Sequence, residues 1–393
     1  MSLLMLKSAV RSQSVLPGTY TLAAGSNACR TYAKKIDNPG NKNIVFIDGV
    51  RTPFLLSGTH YSKLLALDLA RHSLVSLQRK TKIPKEMIDY IVYGTVMQEV
   101  KTSNIARESA LAAGFSDKTP AHTVTMACIS SNVALTTGMG LIASGAFDSV
   151  IAGGVEFMSD IPIRHSRPLR NIMVKASKAK SLPQTLGLLA QIQTMGHSGD
   201  RLAAAFGVSR AEQDEYALRS HTLAQQAQQQ GNLSDLVPMK VPNVDKVVDK
   251  DNGIRVSPIE SLAKLKPAFV KPYGTVTAAN ASFLTDGASA VWEVHEAFAG
   301  QILANLKAMD SDWFAKEYMN RNGKVGVPDL KKWNAWGGSL SIGHPFAATG
   351  VRLATHTANR MIKENQQFGL IAACAAGGQG VGMLLERHPD ATL

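Results

Sequence analysis

Three side chains that can exchange protons or attack as nucleophiles lie in short turns made of small residues. His344 stands between Gly343 and Pro345, Cys128 precedes the run Ile-Ser-Ser-Asn, and Cys374 precedes the run Ala-Ala-Gly-Gly-Gln-Gly. An imidazole exchanges protons near neutral pH, and the thiolate is the nucleophilic form of cysteine. Each residue alone has an ordinary explanation, as a helix-capping histidine or a small buried cysteine. Their shared setting favours an active site.

The elements around Cys128 would place it where a strand enters a helix. Residues 122–127 predict a short strand, and residues 129–144, rich in Ala, Gly, Leu and Met, predict a buried helix. Amides at a helix N-terminus favour a thiolate. We therefore expect Cys128 to have a lowered pKa.

The other two turns have comparable surroundings. Pro345 suits the first position of a helix over residues 346–360, which would hold His344 at the edge of a tight turn. An apolar strand at 369–373 runs into the glycine turn after Cys374, where free N–H groups could face an anion.

Strands and helices alternate along the first half of the chain, which predicts an α/β fold with a mainly parallel sheet. The expected strands are 43–49, 90–94 and 149–153, and the expected helices are 64–77 and 104–113. Active sites in such sheets lie at the carboxyl ends of strands, where Cys128 falls. Further on, Ser209 and Glu212 form a capping box that predicts a helix ending before Gly231.

The segments around Cys128, His344 and Cys374 resemble, in that order, the nucleophile, histidine and third motifs of the thiolase family. The resemblance covers nearly everything after the first three dozen residues. It implies a duplicated fold of two α/β halves, with parallel-rich mixed sheets and an inserted loop domain. His295 stands where most thiolases have asparagine, so the chain most resembles the subfamily of the mitochondrial trifunctional protein.

The resemblance implies an acetyl-CoA C-acyltransferase (3-ketoacyl-CoA thiolase) of mitochondrial fatty acid β-oxidation, with medium- to long-chain substrates. Cys128, activated by His344, would attack the ketone carbon and carry the acyl group as a thioester. Cys374 would protonate the departing acetyl-CoA carbanion and then deprotonate the incoming coenzyme A. Coenzyme A is a substrate in this scheme, and no permanently bound cofactor is implied.

Oxyanion stabilisation is also implied by the resemblance. His344 and a water held by His295 would donate to one oxyanion, and the backbone N–H groups of Cys128 and Ala376 to the other. Ala376 replaces a common glycine of the family. Ser282 matches the serine that contacts pantetheine.

The resemblance also divides the chain. Residues 36–160 and a returning strand at 281–292 would form the N-terminal half, 161–274 the loop domain, and 293–393 the C-terminal half. The run ending at Trp292 passes directly into Glu293, so the C-terminal half lacks its opening strand and helices. Such a loss would leave apolar faces and backbone groups unpaired. The activity of this shortened chain is therefore an open question at this point.

The amino terminus has the composition of a mitochondrial presequence. Residues 1–36 contain five Lys or Arg, several serines and no Asp or Glu, and we assign 1–35 as a transit peptide. A disordered basic tail is the alternative. Cys29 falls inside this segment, and the other two cysteines suit a reducing compartment. No apolar run approaches the roughly 18–20 residues of a membrane-spanning helix.

Residues 161–193 contain six Lys or Arg with no acidic residue among them, followed by an apolar stretch. Such a segment could lie on an anionic membrane, dock a partner, meet the phosphates of a substrate, or be a solvated face. It lacks interleaved aromatic residues, so nucleic acid binding is not expected. The histidines lack metal-ligand spacing, so no metal site is expected.

The expected partners are 3-ketoacyl-CoA, coenzyme A, a second copy of the chain, and a hydratase/dehydrogenase α subunit in a hetero-oligomer. Peripheral contact with the matrix side of the inner mitochondrial membrane is expected from the same resemblance. Two alternatives remain open. One is a catalytically impaired partner subunit; the other is a condensing ketosynthase, which would pair its cysteine with two histidines rather than with Cys374.

Overall fold

The central sheet has five strands and is parallel except for one strand. The computed structural model describes residues 2–7, 44–99, 101–161, 195–287 and 294–392, together with 171 and 174. The strands are β1 (Ser2–Lys7), β2 (Ile44–Gly49), β3 (Leu55–Leu56), β4 (Tyr90–Gly94), β5 (Ala121–Val124), β6 (Ser149–Gly154), β7 (Thr285–Asp286), β8 (Phe368–Ala375) and β9 (Gln379–Glu386). The central sheet has the order β2-β1-β6-β4-β5, and β8 pairs with β9, as β3 does with β7.

The helices connect and cover these strands. They are α1 (Ala66–Thr81), α2 (Ile105–Ala112), α3 (Ser130–Ala143), α4 (Met195–Ala205), α5 (Arg210–Gln229), α6 (Ile259–Ala263), α7 (Ala299–Met309), α8 (Asp312–Met319), α9 (Ser339–Ile342) and α10 (Thr349–Lys363). Strands β6, β4 and β5 pair in parallel. The predicted α/β class with a mainly parallel sheet is thereby confirmed.

Strand β1 is the exception, and its place in the sheet was not expected. It runs antiparallel to both β2 and β6. The composition of residues 1–35 predicts a removable presequence, which would include residues 2–7. Sheet pairing uses backbone groups that every residue carries, so a presequence-like composition does not reveal it. The presequence assignment itself stays a prediction.

Two helices lie between the five-stranded sheet and the β8–β9 hairpin. Apolar side chains of α3 and α10 form one core with residues from β4, β6 and β8, including Val92, Ala152, Leu135, Leu353 and Ile371. On the opposite face of the sheet, α1 and α2 cover a second core. The resulting layers place the N-terminal ends of α3 and α10 side by side, because Val351 N donates to Ser131 Oγ (3.1 Å).

Local sequence signals set several helix ends. Asn104 caps α2 by accepting from Arg107 N. Ser209 and Glu212 form the predicted capping box at the start of α5, which ends at Gln229 before Gly231. These two helix predictions are confirmed.

The helix after His344 begins later than predicted. The Pro345 carbonyl accepts from Ala348 N (2.9 Å) and Thr349 N (3.1 Å), so Pro345 opens a turn, and α10 begins at Thr349. The prediction that Pro345 is the first helical residue is wrong. A fixed proline φ suits a turn as well as a helix start, and the sequence does not distinguish the two.

A buried ion cluster ties the first strand region to the segment after α5. The Arg51 guanidinium pairs with both oxygens of Asp251 (2.6 and 2.8 Å) and with Asp235 (3.2 Å). Arg51 and Asp235 are fully buried, and His356 of α10 approaches Asp235 at 3.4 Å. Three parts of the chain therefore meet at these charges.

The C-terminal half is smaller than the N-terminal half in the described residues. It contributes the two-stranded β8–β9 sheet, whereas the N-terminal half contributes four of the five strands of the central sheet and both strands of the β3–β7 pair. The returning strand expected at 281–292 overlaps residues 288–293, and the basic stretch at 161–193 falls mainly in 162–194. Residues 281–287 of that returning strand are described and contain β7 (Thr285–Asp286), whereas residues 288–292 and nearly all of the basic stretch lie outside the described residues.

Candidate active site

Cys128 lies in the tight turn between β5 and α3, at the carboxyl end of the parallel sheet. Ala127, just before it, has a positive φ of 45°, which is costly for a residue with a Cβ. The amides of Ile129 and Ser130 donate to the carbonyls of Met126 and Ala127, within the turn itself. The turn thus places the half-buried Cys128 two residues before α3, which begins at Ser130.

His344 is buried in the turn between α9 and α10, with 3% of its surface exposed. Its backbone N–H donates to Thr285 Oγ1 (3.1 Å), and its Nδ1 contacts Thr349 Oγ1 (2.6 Å). Gly343 has a φ of 109°, which admits glycine and lets the chain turn closely beside Thr285. The backbone and the ring Nδ1 are thus each held by a threonine hydroxyl, whereas the ring Nε2 has no hydrogen-bond partner among the described residues.

His295 lies directly against His344. The two ring centroids are 3.8 Å apart with planes at 38°, and 1% of His295 is exposed. Its backbone N–H donates to the Ala372 carbonyl of β8 (2.9 Å), and its Nδ1 contacts Ser339 Oγ (3.0 Å). As in His344, Nε2 has no hydrogen-bond partner within the described part of the chain.

Cys374 lies near the end of β8 and faces Cys128. Both cysteines are free and half-buried. They interact electrostatically, and the Ala376 N–H donates a hydrogen bond to the Cys128 thiol. The end of β8 and the turn after it therefore place a thiol and a backbone donor beside Cys128, and the catalytic roles expected of Cys374 and Ala376 stay predictions.

The Glu156 carboxylate accepts hydrogen bonds from both the N-terminal and the C-terminal half of the chain, close to the site. One carboxylate oxygen accepts from Met97 N (2.8 Å), and the other accepts from Ala347 N (3.1 Å) in the turn after His344. Burial raises the pKa of Glu156 to about 7. A Cβ at Gly154 would overlap the Ala347 carbonyl, so this close approach requires glycine.

Burial keeps the four reactive side chains neutral. It raises the pKa of Cys128 to about 11, with a further contribution from Cys374, whose pKa is also raised by burial. Burial and the Arg352 charge lower the pKa of His295 to about 3. Burial, His295 and Arg352 together lower the pKa of His344 well below its ordinary value.

The expectation of a lowered Cys128 pKa is therefore wrong for the free site. The first amides before α3 bond within the turn, as described above, so they do not stabilise the thiolate. The Ala376 N–H and the Cys128 N–H favour the thiolate, but desolvation outweighs them. Formation of the nucleophile then requires proton transfer during the reaction.

Ser282 lies at the edge of the site rather than at its centre. It is half-buried, and its N–H donates to the Ala297 carbonyl (3.0 Å), two residues after His295. Four residues around the site were not singled out from the sequence: Ser339, Thr349, Arg352 and Glu156. The first three lie within or just after the histidine motif, and this position was the available signal.

Neither a metal cluster nor a membrane-spanning helix is found where the structure describes the chain. No group of three or more His, Cys, Asp or Glu in the described ranges has the geometry to hold a metal ion. No helix in those ranges is long and apolar enough to cross a bilayer.

Comparison with known proteins matches these features to one family. Residues 44–297 match the model described as thiolase, N-terminal domain, and residues 266–387 match thiolase, C-terminal domain. The chain is 55% identical to the human protein named trifunctional enzyme subunit beta, mitochondrial, over 92% of each chain. It is 36% identical to a 3-ketoacyl-CoA thiolase of Yersinia pestis, over 87% of this chain and 96% of that one.

A solved structure has a similar fold. The crystal structure of the Bacillus anthracis acetyl-CoA acetyltransferase superposes with a TM-score of 0.71 at 26% identity, covering 86% of this chain and 97% of that chain. The predicted thiolase-like α/β fold is thereby confirmed.

The alignments also contain positions that this chain lacks. The alignment with the human relative spans 438 positions but includes 92% of the 393 residues of this chain, about 362, so about 76 aligned positions have no counterpart in this chain. We predicted a missing segment between Trp292 and Glu293, and that location stays a prediction. The matched family models, the relatives and the fold agree with the motifs, and the chain belongs to the thiolase family.

Proposed function

We propose that this chain is a 3-ketoacyl-CoA thiolase (acetyl-CoA C-acyltransferase) of mitochondrial fatty acid β-oxidation. The observation that carries the proposal is that a pair of interacting thiols, Cys128 and Cys374, lies on segments that contact those of a pair of adjacent imidazoles, His295 and His344. Cys128 faces Cys374 and the Ala376 amide, and both imidazoles bury an Nε2 that has no partner in the described residues. Thiolysis needs these groups: a nucleophile, a base, an acid and oxyanion donors.

In the first half-reaction, Cys128 loses its proton to Nε2 of His344 as its sulfur attacks the C3 ketone carbon. The C2–C3 bond then breaks, and its electron pair remains on C2 of acetyl-CoA. The Cys374 thiol protonates that carbon, which leaves a Cys374 thiolate and a shortened acyl thioester on Cys128. The buried, uncharged site favours steps in which charge forms only transiently.

In the second half-reaction, the Cys374 thiolate takes the proton of coenzyme A. The new thiolate attacks the acyl thioester, and Cys128 leaves and recovers its proton from His344. The products are a shortened acyl-CoA and the resting enzyme. The raised pKa of Cys374 suits a group that must hold a proton at rest and accept one back.

Donors for two oxyanions follow from the same arrangement. The Cys128 and Ala376 N–H groups would bind the oxygen of the acyl thioester. His344 in its protonated form, and a water held by Nε2 of His295, would bind the enolate oxygen.

Coenzyme A would approach along the segment after α5. A cavity of about 50 Å³ is lined by Leu218 and His221 of α5 and by Arg255, Phe283 and Leu340. It adjoins Ser282, the proposed pantetheine contact. The Arg255 cation at its wall suits the phosphates of the nucleotide part.

The partners and location are proposed on the same basis. Strand β5 is the edge of the central sheet and is half-buried throughout, which supports a homodimer formed at that edge. The name of the human relative, a mitochondrial subunit beta, supports assembly with an α subunit and a mitochondrial location. That the α subunit carries hydratase and dehydrogenase activity is part of the proposal. Peripheral contact with the inner membrane is proposed with it.

The test is acylation of Cys128. The chain is incubated with a long-chain 3-ketoacyl-CoA without free coenzyme A, and the intact mass is measured. An acyl adduct that is absent in Cys128→Ala supports the thiolase. A folded chain without an adduct would refute catalysis and favour the impaired partner subunit. A ketosynthase would instead acylate normally in Cys374→Ala, whereas the thiolase loses release of acetyl-CoA in that variant.

A further inference from the structure

The two stacked histidines contact different hydroxyl groups, and these contacts define where each ring carries its proton. Thr349 Oγ1 donates to the Pro345 carbonyl (3.1 Å) and contacts Nδ1 of His344 (2.6 Å). A hydroxyl has one proton, and Thr349 gives it to the carbonyl. Nδ1 of His344 must therefore be the donor, which leaves a lone pair on Nε2.

The opposite arrangement holds at His295. A guanidinium only donates, so Ser339 Oγ accepts from Nη2 of Arg352 (2.9 Å). The remaining contact of Ser339 Oγ in the described residues is Nδ1 of His295 (3.0 Å). The single serine proton goes to that nitrogen, because no other acceptor among the described residues contacts the hydroxyl. Nε2 of His295 then carries the ring proton.

We propose that Ser339 and Arg352 are positioning residues that hold His295 as its Nε2–H tautomer, opposite to the tautomer of His344. One ring of the stacked pair is thereby a base and the other a donor. All four groups are almost completely buried, with exposures of 0% for Ser339 and Arg352, 1% for His295 and 3% for His344. Water therefore does not compete for these hydrogen bonds.

The tautomer matters for the reaction, and this part of the inference rests on the proposed function. A water bound to an Nε2–H of His295 accepts one hydrogen bond and keeps both its protons for donation. The other tautomer would draw one of those protons toward the ring. The water would still have one proton for the enolate oxygen, but without an Nε2–H bond to polarise it the water would donate less strongly as the charge develops. Arg352 also disfavours a charged His295, which keeps the ring in a neutral form.

The first test reads the tautomer directly and does not require activity. The chain is labelled with ¹⁵N-histidine, and long-range proton–nitrogen correlation spectra are recorded, with His295→Asn as the assignment reference. We expect a protonated Nε2 and an unprotonated Nδ1 for His295, with the reverse for His344. A protonated Nδ1 on His295 in the wild-type chain would overturn the inference, even if the enzyme is active.

The second test removes the hydroxyl. In Ser339→Ala nothing donates to Nδ1 of His295, so its spectra should no longer show a ring protonated at Nε2 alone. The matched control is Ser341→Ala in the same short helix, because Ser341 is equally buried but contacts Ser220 and Gly338 instead of an imidazole. It should keep the His295 pattern, so general loosening of the turn is separated from loss of the proton donor.

Kinetics complete the test. Ser339→Ala should lower kcat about 10- to 100-fold with little change in KM, since the lost interaction acts on the transition state. Arg352→Lys, which keeps a cationic donor, should retain more kcat than Arg352→Met. Equal kcat values for Ser339→Ala and Ser341→Ala in an active enzyme would contradict the inference. Absence of wild-type acylation would refute the proposed function alone, because the spectra still report the tautomer.

Discussion

The raised pKa of Cys128 predicts how its reaction with iodoacetamide depends on pH. Burial moves the pKa from its ordinary value of 9.0 to about 11. At any pH well below 9, the thiolate fraction is then about a hundredfold smaller than that of an ordinary thiol. A more basic thiolate is intrinsically more nucleophilic, which returns a factor of about 6 to 10. The folded chain should therefore alkylate at Cys128 about tenfold more slowly than the denatured chain.

The assay measures alkylation by peptide mass spectrometry, which reports Cys128 and Cys374 separately. Rates are recorded between pH 6.5 and 9.5 for folded chain and for chain unfolded in urea. Both should rise about tenfold per pH unit near neutrality. Above pH 9 the unfolded chain should level off while the folded chain continues to rise.

The pH at which the rate levels off is the decisive quantity, since limited access would slow the reaction equally at every pH. A Cys128 rate that is already constant at pH 7 would mean a preformed thiolate–imidazolium pair. That result would refute the neutral site derived from burial and would restore the helix N-terminus as the cause of activation.

Three further predictions concern stability and the close contacts of the site. Arg51→Met leaves two buried carboxylates without their cation and should lower the free energy of unfolding, measured in urea titrations, by about 3–5 kcal/mol. The control is Lys80→Met at an exposed ion pair, which should lower it by about 1 kcal/mol or less. Gly154→Ala should displace the turn that follows His344 and lower kcat, because the new Cβ would overlap the Ala347 carbonyl. The control is Gly140→Ala, which has open space around its Cβ inside a helix and should leave kcat unchanged and stability unchanged or slightly higher. Equal losses of kcat in both variants would contradict the close-approach argument. The lowered pKa of His295 means that the unfolded chain binds its proton first, so stability should fall as the pH drops through 6.5, by about 1.4 kcal/mol at pH 5.5 from this residue. His295→Asn should flatten that slope, and an unchanged slope would show that the ring is not buried neutral.

Much of the candidate site could be predicted because its signals are local. Cys128, His344 and Cys374 lie in turns whose small residues and glycines are visible in the sequence, and their order along the chain matches one family. The capping box at Ser209 and the Asn104 cap also act within a few residues. Such features depend on neighbours that the sequence itself specifies.

The protonation states of the site depended on burial, which the sequence does not specify. The expected thiolate at Cys128 rested on helix amides, but those amides bond within their own turn, and desolvation by residues from distant segments dominates. The start of α10 was likewise misplaced, because the proline at 345 can open either a turn or a helix.

The sequence by itself determined the family, the α/β class and the candidate reactive residues, since motifs and short-range patterns carry that information. Only the tertiary structure decided that His295 stacks on His344, that Ser339 and Arg352 stand behind it, and that residues 2–7 enter the sheet. Each of these contacts joins segments that are separated along the chain. Their energies come from burial and from the direction of hydrogen bonds, which exist only once the chain has folded.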